Sequence, residues 1–135
     1  MFDTKVALVV RNDLPTWQKL NVTAFLATGI AAAAPEAIGK PYMDASGTRY
    51  GSMLVQPIVV FGADVEELRH ARQKAIERSM LVIPYVEAMF RTGNDEANRQ
   101  AFLVEAVDSM NLVGIGIRGP KNGVDKVLKG FELHA

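Results

Sequence analysis

The sequence predicts an α/β fold, in which short buried strands alternate with helices along the 135 residues of the chain. Brief runs of β-branched apolar residues recur, and between them lie longer segments with helical periodicity and helix-start residues. A hydrophobic content of 49% is enough for a substantial core in a chain of this length. Because no internal repeat or linker interrupts the pattern, we expect one domain that spans residues 1–135.

The first strand and the first helix are clearly marked. Residues 6–10 form a continuous β-branched apolar run, which is typical of a strand covered on both faces. An Ala-rich segment from Thr16 to about Ala33 follows, with Pro15 or Thr16 placed to begin a helix and Pro35 to end it. We therefore expect a buried strand followed at once by a helix that packs against it.

The middle of the chain predicts an irregular segment and then a second strand and helix. Residues 39–56 contain glycines, a proline and few periodic apolar positions, which indicates an irregular excursion or a loose hairpin. Residues 57–61 predict a second strand, and Asp64 with Glu67 forms a capping-box start for the next helix. The helix positions expected to face the sheet are Leu68, Ala71, Ala75 and Ile76.

The remainder of the chain continues the alternation. Residues 80–85 and 112–117 predict the third and fourth strands, and Thr92 and Asp95 are candidate caps for a helix that runs between them to about Asp108. The positions that this helix is expected to bury are Ala97, Ala101, Val104 and Val107. A short helix over residues 124–128 and a strand over residues 131–133 complete the prediction.

The composition excludes several classes of function. Fifteen basic residues balance fifteen acidic ones, so no overall field attracts nucleic acid or an acidic membrane. The chain has no cysteine, which rules out disulfides, thiolate metal sites and a cysteine nucleophile. It has no basic leader with an apolar core, and no apolar run approaches the ~20 residues of a membrane span. We expect a cytoplasmic protein with no membrane association.

Two apparent motifs do not indicate a cofactor or metal site. Gly114, Gly116 and Gly119 spell G-x-G-x-x-G, but the first two lie inside a predicted strand and no acidic ribose partner follows. Close packing on the sheet is the expected role of these glycines. The only histidines, His70 and His134, do not form a cluster with metal-ligand spacing. Neither a metal nor a cofactor is expected.

A lysine on the first helix is the leading candidate site residue. Drawn at about 100° per residue, Lys19 and Thr23 share a stripe with Leu26 and Ile30, while Asn21 lies on the opposite side. Either Lys19 extends its ammonium from the apolar face to water, or it forms one wall of a ligand pocket where the first strand ends.

The sequence also resembles a known enzyme family. The stretches KVALVVRNDL, QPIVVF and LVGIGIRGPKNGVDKVLKGFELHA resemble class II peptidyl-tRNA hydrolases, the archaeal and eukaryotic type. The stretches KLNVTAFLATGI, PYMDASG, NDEANRQA and DKVLKG are similar to an uncharacterised bacterial family, a domain of unknown function that shares the hydrolase fold. The resemblance implies a three-layer α/β/α fold with a mixed four- to five-stranded sheet, and frequent homodimers.

The resemblance also implies site residues. Lys19 falls on the lysine that is catalytic in the hydrolases, and Thr23 stands where those enzymes have a glutamine. The segment VEAMFRTGNDEANRQ replaces their acidic loop, which leaves Glu87 or Asp95 in the place of the acid. The Gly- and Lys-rich turn of the hydrolases is replaced by PTWQK. Since this turn is absent and the net charge is zero, we expect no tight tRNA binding.

Two hypotheses of function follow. In the first, the protein is a hydrolase of a small ester, amide or nucleotide-linked substrate, with Lys19, Thr23, Glu87 and Asp95 as its catalytic residues. In the second, the fold is a noncatalytic homodimeric module that binds a small ligand or a partner, and the segment YMDASGTRY forms a lid or interface. The candidate ligand-binding residues are Arg11, Asp13, Asn21, Asp44, Tyr50 and Arg99.

Some of the candidate site residues also have an ordinary structural explanation. Asp44 is also the kind of residue that organises a turn, and Asp95 with Arg99 has the spacing of a surface ion pair on a helix. Met89, Phe90 and Phe102 lie near a predicted helix start and are expected to leave an apolar surface that a homodimer covers.

Overall fold

A computed structural model describes residues 2–135 of the chain. The strands are β1 (Thr4–Arg11), β2 (Ile58–Ala63), β3 (Leu81–Val86), β4 (Leu112–Pro120) and β5 (Glu132–Leu133). The α-helices are α1 (Thr16–Ala33), α2 (Val65–Glu77), α3 (Asp95–Leu103) and α4 (Lys121–Val127). Two short 3-10 helices lie at Pro35–Ala37 and Glu87–Arg91. The predicted alternation of strands and helices is confirmed.

The strands form one mixed sheet in the order β3-β4-β1-β2-β5. β1 and β2 are parallel, whereas β4 is antiparallel to both β1 and β3, and β5 is antiparallel to β2. The expected mixed sheet is therefore present with five strands. β1, β2 and β3 run in the same direction, so their carboxyl ends lie at one edge of the sheet.

Helices cover both faces of the sheet. Along β1, Val6 and Leu8 pack into a core with α1, whereas Ala7 and Val9 pack into a second core with α2 and α4. This alternation follows from the two-residue period of a strand, and it explains why residues 6–10 are continuously apolar. The three-layer arrangement is confirmed, with α1 on one side and α2 with α4 on the other.

The glycines of β4 allow the helix layer to approach the sheet closely. A Cβ on Gly114 would come within 2.6 Å of Val22 Cγ1, and one on Gly119 within 2.8 Å of Met80 Cγ. A Cβ on Gly116 would lie 3.4 Å from Leu8 Cδ2, at ordinary van der Waals distance. The prediction of close packing is confirmed at Gly114 and Gly119, whereas the space at Gly116 does not require a glycine.

The capping box of α2 is present as predicted. Asp64 Oδ1 accepts a hydrogen bond from the Glu67 backbone amide at 2.8 Å, and Glu67 Oε1 accepts one from the Asp64 amide at 3.0 Å. Leu68, Ala71 and Ala75 are buried as expected. The prediction for Ile76 is wrong because this side chain is 48% exposed: it lies about 100° round the helix from Ala75, past the edge of the buried face.

The third helix differs from its prediction. α3 ends at Leu103 instead of continuing to about Asp108, and none of its residues is buried. Its cap is Asn94, whose side chain accepts from the Ala97 amide at 2.8 Å, so the expected caps Thr92 and Asp95 are also wrong. Beyond the helix, Glu105 Oε1 accepts a hydrogen bond from the Asn111 amide at 2.9 Å, and this contact holds the segment that leads to β4.

The burial expected along this helix is wrong for the same reason. Val104 and Val107 lie beyond the helix end and are exposed, and Ala97 and Ala101 are half-buried. Met89, Phe90 and Phe102, which were expected to leave an apolar surface, are half-buried against the two cores.

Residues 38–55 form a loose hairpin, hereafter the arm, as the sequence predicts. Isolated bridges join Ile38 to Leu54 and Met43 to Arg49, and irregular backbone hydrogen bonds lie between them. Leu54 packs against the α1 side of the core, so the base of the arm lies on that side of the sheet. The tip of the arm turns at Gly47, whose φ of 85° is in the left-handed region that favours glycine.

Candidate functional site

A groove lies between α1, β3, the 3-10 helix at Glu87–Arg91 and α3. It has two adjoining halves, with volumes of about 370 and 380 Å³, and it is called the aromatic groove below. The residues that line both halves are Phe25, Tyr85, Met89, Asp95 and Asn98. Each half is within the ~300–1,000 Å³ range of small-molecule sites.

Aromatic rings form the walls of the groove. The ring centroids of Tyr85 lie 5.4 Å from those of Phe90 and 6.0 Å from those of Phe25, and Trp17 meets Phe90 edge to face at 6.0 Å. These separations are typical of favourable aromatic pairs. Trp17 is 60% exposed and Phe25 is 52% exposed, so large parts of both rings are open to a ligand.

Polar groups border the same groove. The Tyr85 hydroxyl lies 3.5 Å from Asn21 Oδ1, at the limit of a hydrogen bond. Burial raises the pKa of Tyr85, so its hydroxyl stays protonated and able to donate at neutral pH. The Thr92 hydroxyl contacts the Asn98 side-chain amide and the Met89 carbonyl. The groove therefore combines apolar walls with neutral hydrogen-bonding groups.

The charged residues of the groove form their own pair. Asp95 Oδ2 accepts a hydrogen bond from Arg99 Nε at 2.7 Å across one turn of α3. This hydrogen bond raises the pKa of the Arg99 guanidinium. The predicted surface ion pair is confirmed, and Asp95 borders the groove without an unpaired charge.

Lys19 and Thr23 lie outside the residues that line the aromatic groove. Lys19 is half-buried on the first turn of α1, and no ion pair within residues 2–135 includes it. Thr23 donates its hydroxyl to the Leu20 carbonyl at 2.9 Å, a local bond within the helix. The carboxylates of Glu87 and Asp95 pair with arginines and not with Lys19.

A separate polar cluster lies where β1 ends. Arg11 donates from Nε to Asp13 at 2.7 Å and from NH1 to Asn111 Oδ1 at 2.8 Å. Glu87 follows β3 at the same edge of the sheet, and Arg91 donates to its carboxylate at 2.6 Å. That hydrogen bond, with the positive charges of Arg91 and Arg11, holds the pKa of Glu87 below its ordinary value of 4.5. The charged groups of this cluster therefore pair with one another.

Asp44 and Tyr50 come together in the arm, away from the groove. Asp44 Oδ1 accepts from the backbone amides of Ser46 and Thr48 at 2.9 and 3.0 Å, and Tyr50 donates its hydroxyl to Oδ2 at 2.7 Å. The Tyr50 bond and the Thr48 bond lower the pKa of Asp44. Asp44 therefore organises the turn of the arm, which is the simpler of the two roles that its sequence context suggested.

The structure thus divides the predicted site residues among four places. Asn21, Asp95 and Arg99 border the groove, and Lys19 with Thr23 lies elsewhere on α1. Arg11, Asp13 and Glu87 lie in the cluster at the strand ends, and Asp44 with Tyr50 lies in the arm.

Four groove residues of α1 share a helical stripe, and of these only Asn21 was predicted as a site residue. Trp17, Asn21, Phe25 and Thr28 recur at spacings of three and four along α1, and all of them line the groove. This stripe was visible in the sequence beside the Lys19 stripe. Its partners Tyr85 and Asn98 are distant along the chain, and only the fold brings them to it.

Within residues 2–135 there is no group of three or more histidine, aspartate or glutamate side chains placed to hold a metal ion. No helix in this part of the chain has the length and apolar character needed to cross a membrane.

The fold and the groove define a three-layer α/β/α protein with an aromatic-walled cavity beside its first helix. The chain belongs to the DUF2000 family, described as a protein of unknown function, whose model matches residues 4–135. The expectation of an uncharacterised family is therefore confirmed. The solved structure of a protein of unknown function from Agrobacterium tumefaciens strain C58, Atu0240, is 49% identical over 100% of both chains, with a TM-score of 0.97. A search of curated proteins gives no match.

Proposed function

We propose that this protein binds a small, planar, uncharged molecule in the aromatic groove. The supporting observation is that rings from α1, β3 and the following 3-10 helix surround a cavity of ligand size. Exposed rings such as Trp17 and Phe25 favour stacking on a flat ligand. Asn21 and Asn98 offer amide groups that pair with the polar edge of a heteroaromatic ring.

The electrostatics of the groove favour a neutral ligand. Asp95 is its only acidic lining residue and Arg99 its only basic one, and each neutralises the other. A strongly charged ligand would meet no unpaired counter-ion and would lose its hydration without compensation. Nucleosides and aromatic amides have the required shape and charge.

Trp17 makes this proposal directly measurable because it is the only tryptophan of the chain and lies at the groove. Adenosine, uridine and nicotinamide are titrated while the Trp17 emission is recorded, and protein purified from its host is searched by native mass spectrometry for a retained ligand. We expect at least one probe to quench Trp17 saturably. Phe25→Ala is expected to weaken that binding about tenfold or more, since stacking contributes about 1–3 kcal/mol.

Leu103→Ala is the matched control, because Leu103 is an exposed apolar residue that does not line the groove. Its affinity should equal that of the parent protein. Binding that is equally strong in Phe25→Ala would contradict the proposal, as would the absence of both a retained ligand and a saturable response to the three probes.

The second candidate function is hydrolysis of a small ester, amide or nucleotide-linked substrate. It is supported by the carboxylate of Glu87 in the cluster at the strand ends and by Lys19 on the helix that follows β1. In this hypothesis Glu87 is the base and Lys19 stabilises developing negative charge, with Thr23 beside it.

Lys19→Met tests the hydrolase hypothesis because it keeps the apolar stem and removes the charge. The variant is expected to fold with near-normal stability, since Lys19 has no ion pair in the described chain. It should lose any hydrolysis that a substrate screen detects in the parent protein. Full activity in the variant would remove Lys19 from the mechanism.

We also propose a distant relation of this fold to class II peptidyl-tRNA hydrolases and assembly as a homodimer. The mixed sheet between helix layers and the lysine on the first turn of α1 support the relation. The homodimer cannot rest on Met89, Phe90 and Phe102, because all three are half-buried in the chain itself. Other exposed apolar residues support it instead.

A further inference from the structure

We infer that the arm and the outer face of α1 together form the interface of the homodimer, with a second copy of this chain as the occupant. This inference rests on the proposed homodimer and is independent of the ligand proposed for the aromatic groove. It assigns a role to the exposed apolar surface on the α1 side of the sheet.

The helix α1 has an unusual surface for a helix that covers one face of the sheet. Its sequence, TWQKLNVTAFLATGIAAA, contains a single charged residue, Lys19, which is half-buried. Its outer face presents Leu20 and Ala24, both exposed, where a water-facing helix normally has charged residues. A helix surface with so little charge is typical of one that another surface covers.

The arm also exposes large apolar side chains. Tyr42, Met43, Tyr50, Met53 and Val55 are each between 53% and 61% exposed, although backbone hydrogen bonds and the Asp44 turn hold the arm in a defined hairpin. A two-stranded hairpin is at best marginally stable in water without a surface to pack against. Five large apolar side chains on such a hairpin indicate that another surface covers it.

The two regions lie on the same side of the molecule. The arm leaves the carboxyl end of α1 and leads into β2, and Leu54 at its base packs into the α1 core. Ile58, which pairs with Val6 and so faces the same side, is 39% exposed beside the arm. The outer face of α1, the arm and the start of β2 therefore present apolar groups in one general direction.

The exposed area matches what a stable dimer needs. The two tyrosines each have ~150–250 Å² of side-chain surface, and the aliphatic residues have less. At 39–66% exposure, each of the seven residues named below therefore leaves on the order of 100 Å² or less in water. Leu20, Ile58 and the five large residues of the arm together approach the ~800 Å² that each partner buries in a standard interface.

The chemistry of the surface favours a second copy over an unrelated partner. The arm contains two basic residues, Lys40 and Arg49, and one acidic residue, Asp44, which its own turn already satisfies. Such a surface has no strong field of one sign to repel its own copy or to select an oppositely charged protein. Permanent homodimer interfaces are more apolar than transient ones, as this surface is.

Light scattering over a dilution series tests the interface. The parent protein is expected to have twice the mass of the chain at micromolar concentration. Ala24→Glu, on the outer face of α1, and the double variant Met43→Lys with Met53→Lys, on the arm, should each give the monomer mass. Ala24→Glu keeps a good helix former at an exposed position, so it is expected to fold even if the arm variant does not.

The matched control is Leu103→Lys with Val104→Lys, which places two charges on exposed apolar residues beside α3. It should keep the dimer mass. A monomeric parent protein at every concentration would overturn both the homodimer and the interface. A dimeric parent whose α1 and arm variants are also dimeric would overturn the interface alone, and so would a control that dissociates as they do.

Discussion

The two faces of the sheet are covered by helices of opposite character. On one side, α2 is amphipathic: it buries Leu68, Ala71 and Ala75 and places charged residues toward water. On the other side, α1 buries Val22, Leu26 and Ile30 but has almost no charge on the rest of its surface. Both helices pack an apolar inner stripe on the sheet, and they differ clearly in their outer faces.

The ends and surfaces of the two helices show the same contrast. α2 begins with a complete capping box, and its Arg69 pairs with Glu66 at 2.5 Å and donates to the Met110 carbonyl at 2.9 Å. α1 begins at Thr16, and its N-cap residue Pro15 provides no side-chain cap. A capped helix whose charges are paired is suited to face water. An apolar helix without a cap is suited to contact a ligand or a protein.

Gly114→Ala should produce the largest effect, because it tests how tightly the α1 side is packed. The new Cβ would meet the β-branched Val22 at 2.6 Å and the Val9 carbonyl oxygen at 3.1 Å, so α1 must move. We expect a loss of about 1–3 kcal/mol in the free energy of unfolding, measured by urea denaturation.

Gly119→Ala is the corresponding change on the α2 and α4 side. Its Cβ would meet Met80, whose flexible side chain can move aside, so the loss should be clearly smaller. Equal losses at the two glycines would show that the two sides are packed with the same rigidity, contrary to the comparison.

Asp64→Ala tests the capped helix on the other side. It removes the side chain that accepts from the Glu67 amide, and we expect unfolding free energy to fall by about 1 kcal/mol in thermal or urea denaturation. Asp108→Ala is the control, since Asp108 is an exposed acidic residue outside the helices. If the two substitutions cost the same, the capping box does not stabilise α2.

Tyr50→Phe should have a small effect, confined to the arm on the α1 side. Its hydroxyl is the main reason that the pKa of Asp44 lies below the ordinary value of 3.8. A depressed pKa stabilises the fold above pH 3.8, and this contribution is lost as the pH falls through the lower folded-state pKa. In an NMR titration, the Asp44 pKa should rise toward 3.8 in Tyr50→Phe and stay unchanged in Tyr42→Phe.

We expect the smallest effect when tRNA is added, because it should bind to neither side of the sheet. The lysines of α4 on the α2 side are interspersed with Asp125, which also pairs with Lys5 at 2.7 Å, and the net charge of the chain is zero. We expect no sub-micromolar tRNA binding at physiological salt in a gel-shift titration. Tight binding that weakens steeply with salt would contradict this expectation.

Much of the fold was predictable because its signals are local. The apolar run of residues 6–10 gave the central strand, and the prolines at positions 15 and 35 gave the bounds of α1. Asp64 and Glu67 predicted the capping box because both partners lie within one helical turn. Asp95 and Arg99 predicted their own ion pair for the same reason.

The wrong predictions share a different cause. The segment after α3 is held by Glu105, whose carboxylate accepts from the Asn111 amide, and by Arg69, which donates to the Met110 carbonyl from another helix. The exposure of Ile76 depends on where the sheet ends beneath α2. Sequence periodicity does not predict these features. The hydrogen-bond partners lie in other segments, and the edge of the sheet beneath α2 is set by other elements.

Residue type and spacing were enough to predict most elements of this protein, the two apolar faces of its central strand and the nearly uncharged surface of α1. The fold was needed to show which of its polar residues come into contact. It placed Tyr85 and Asn98 beside the stripe of Trp17 and Phe25, and it joined Arg11 to Asn111 across 100 residues. These side-chain contacts depend on strand order and register, which are fixed by the packing of the whole sheet and not by any local segment.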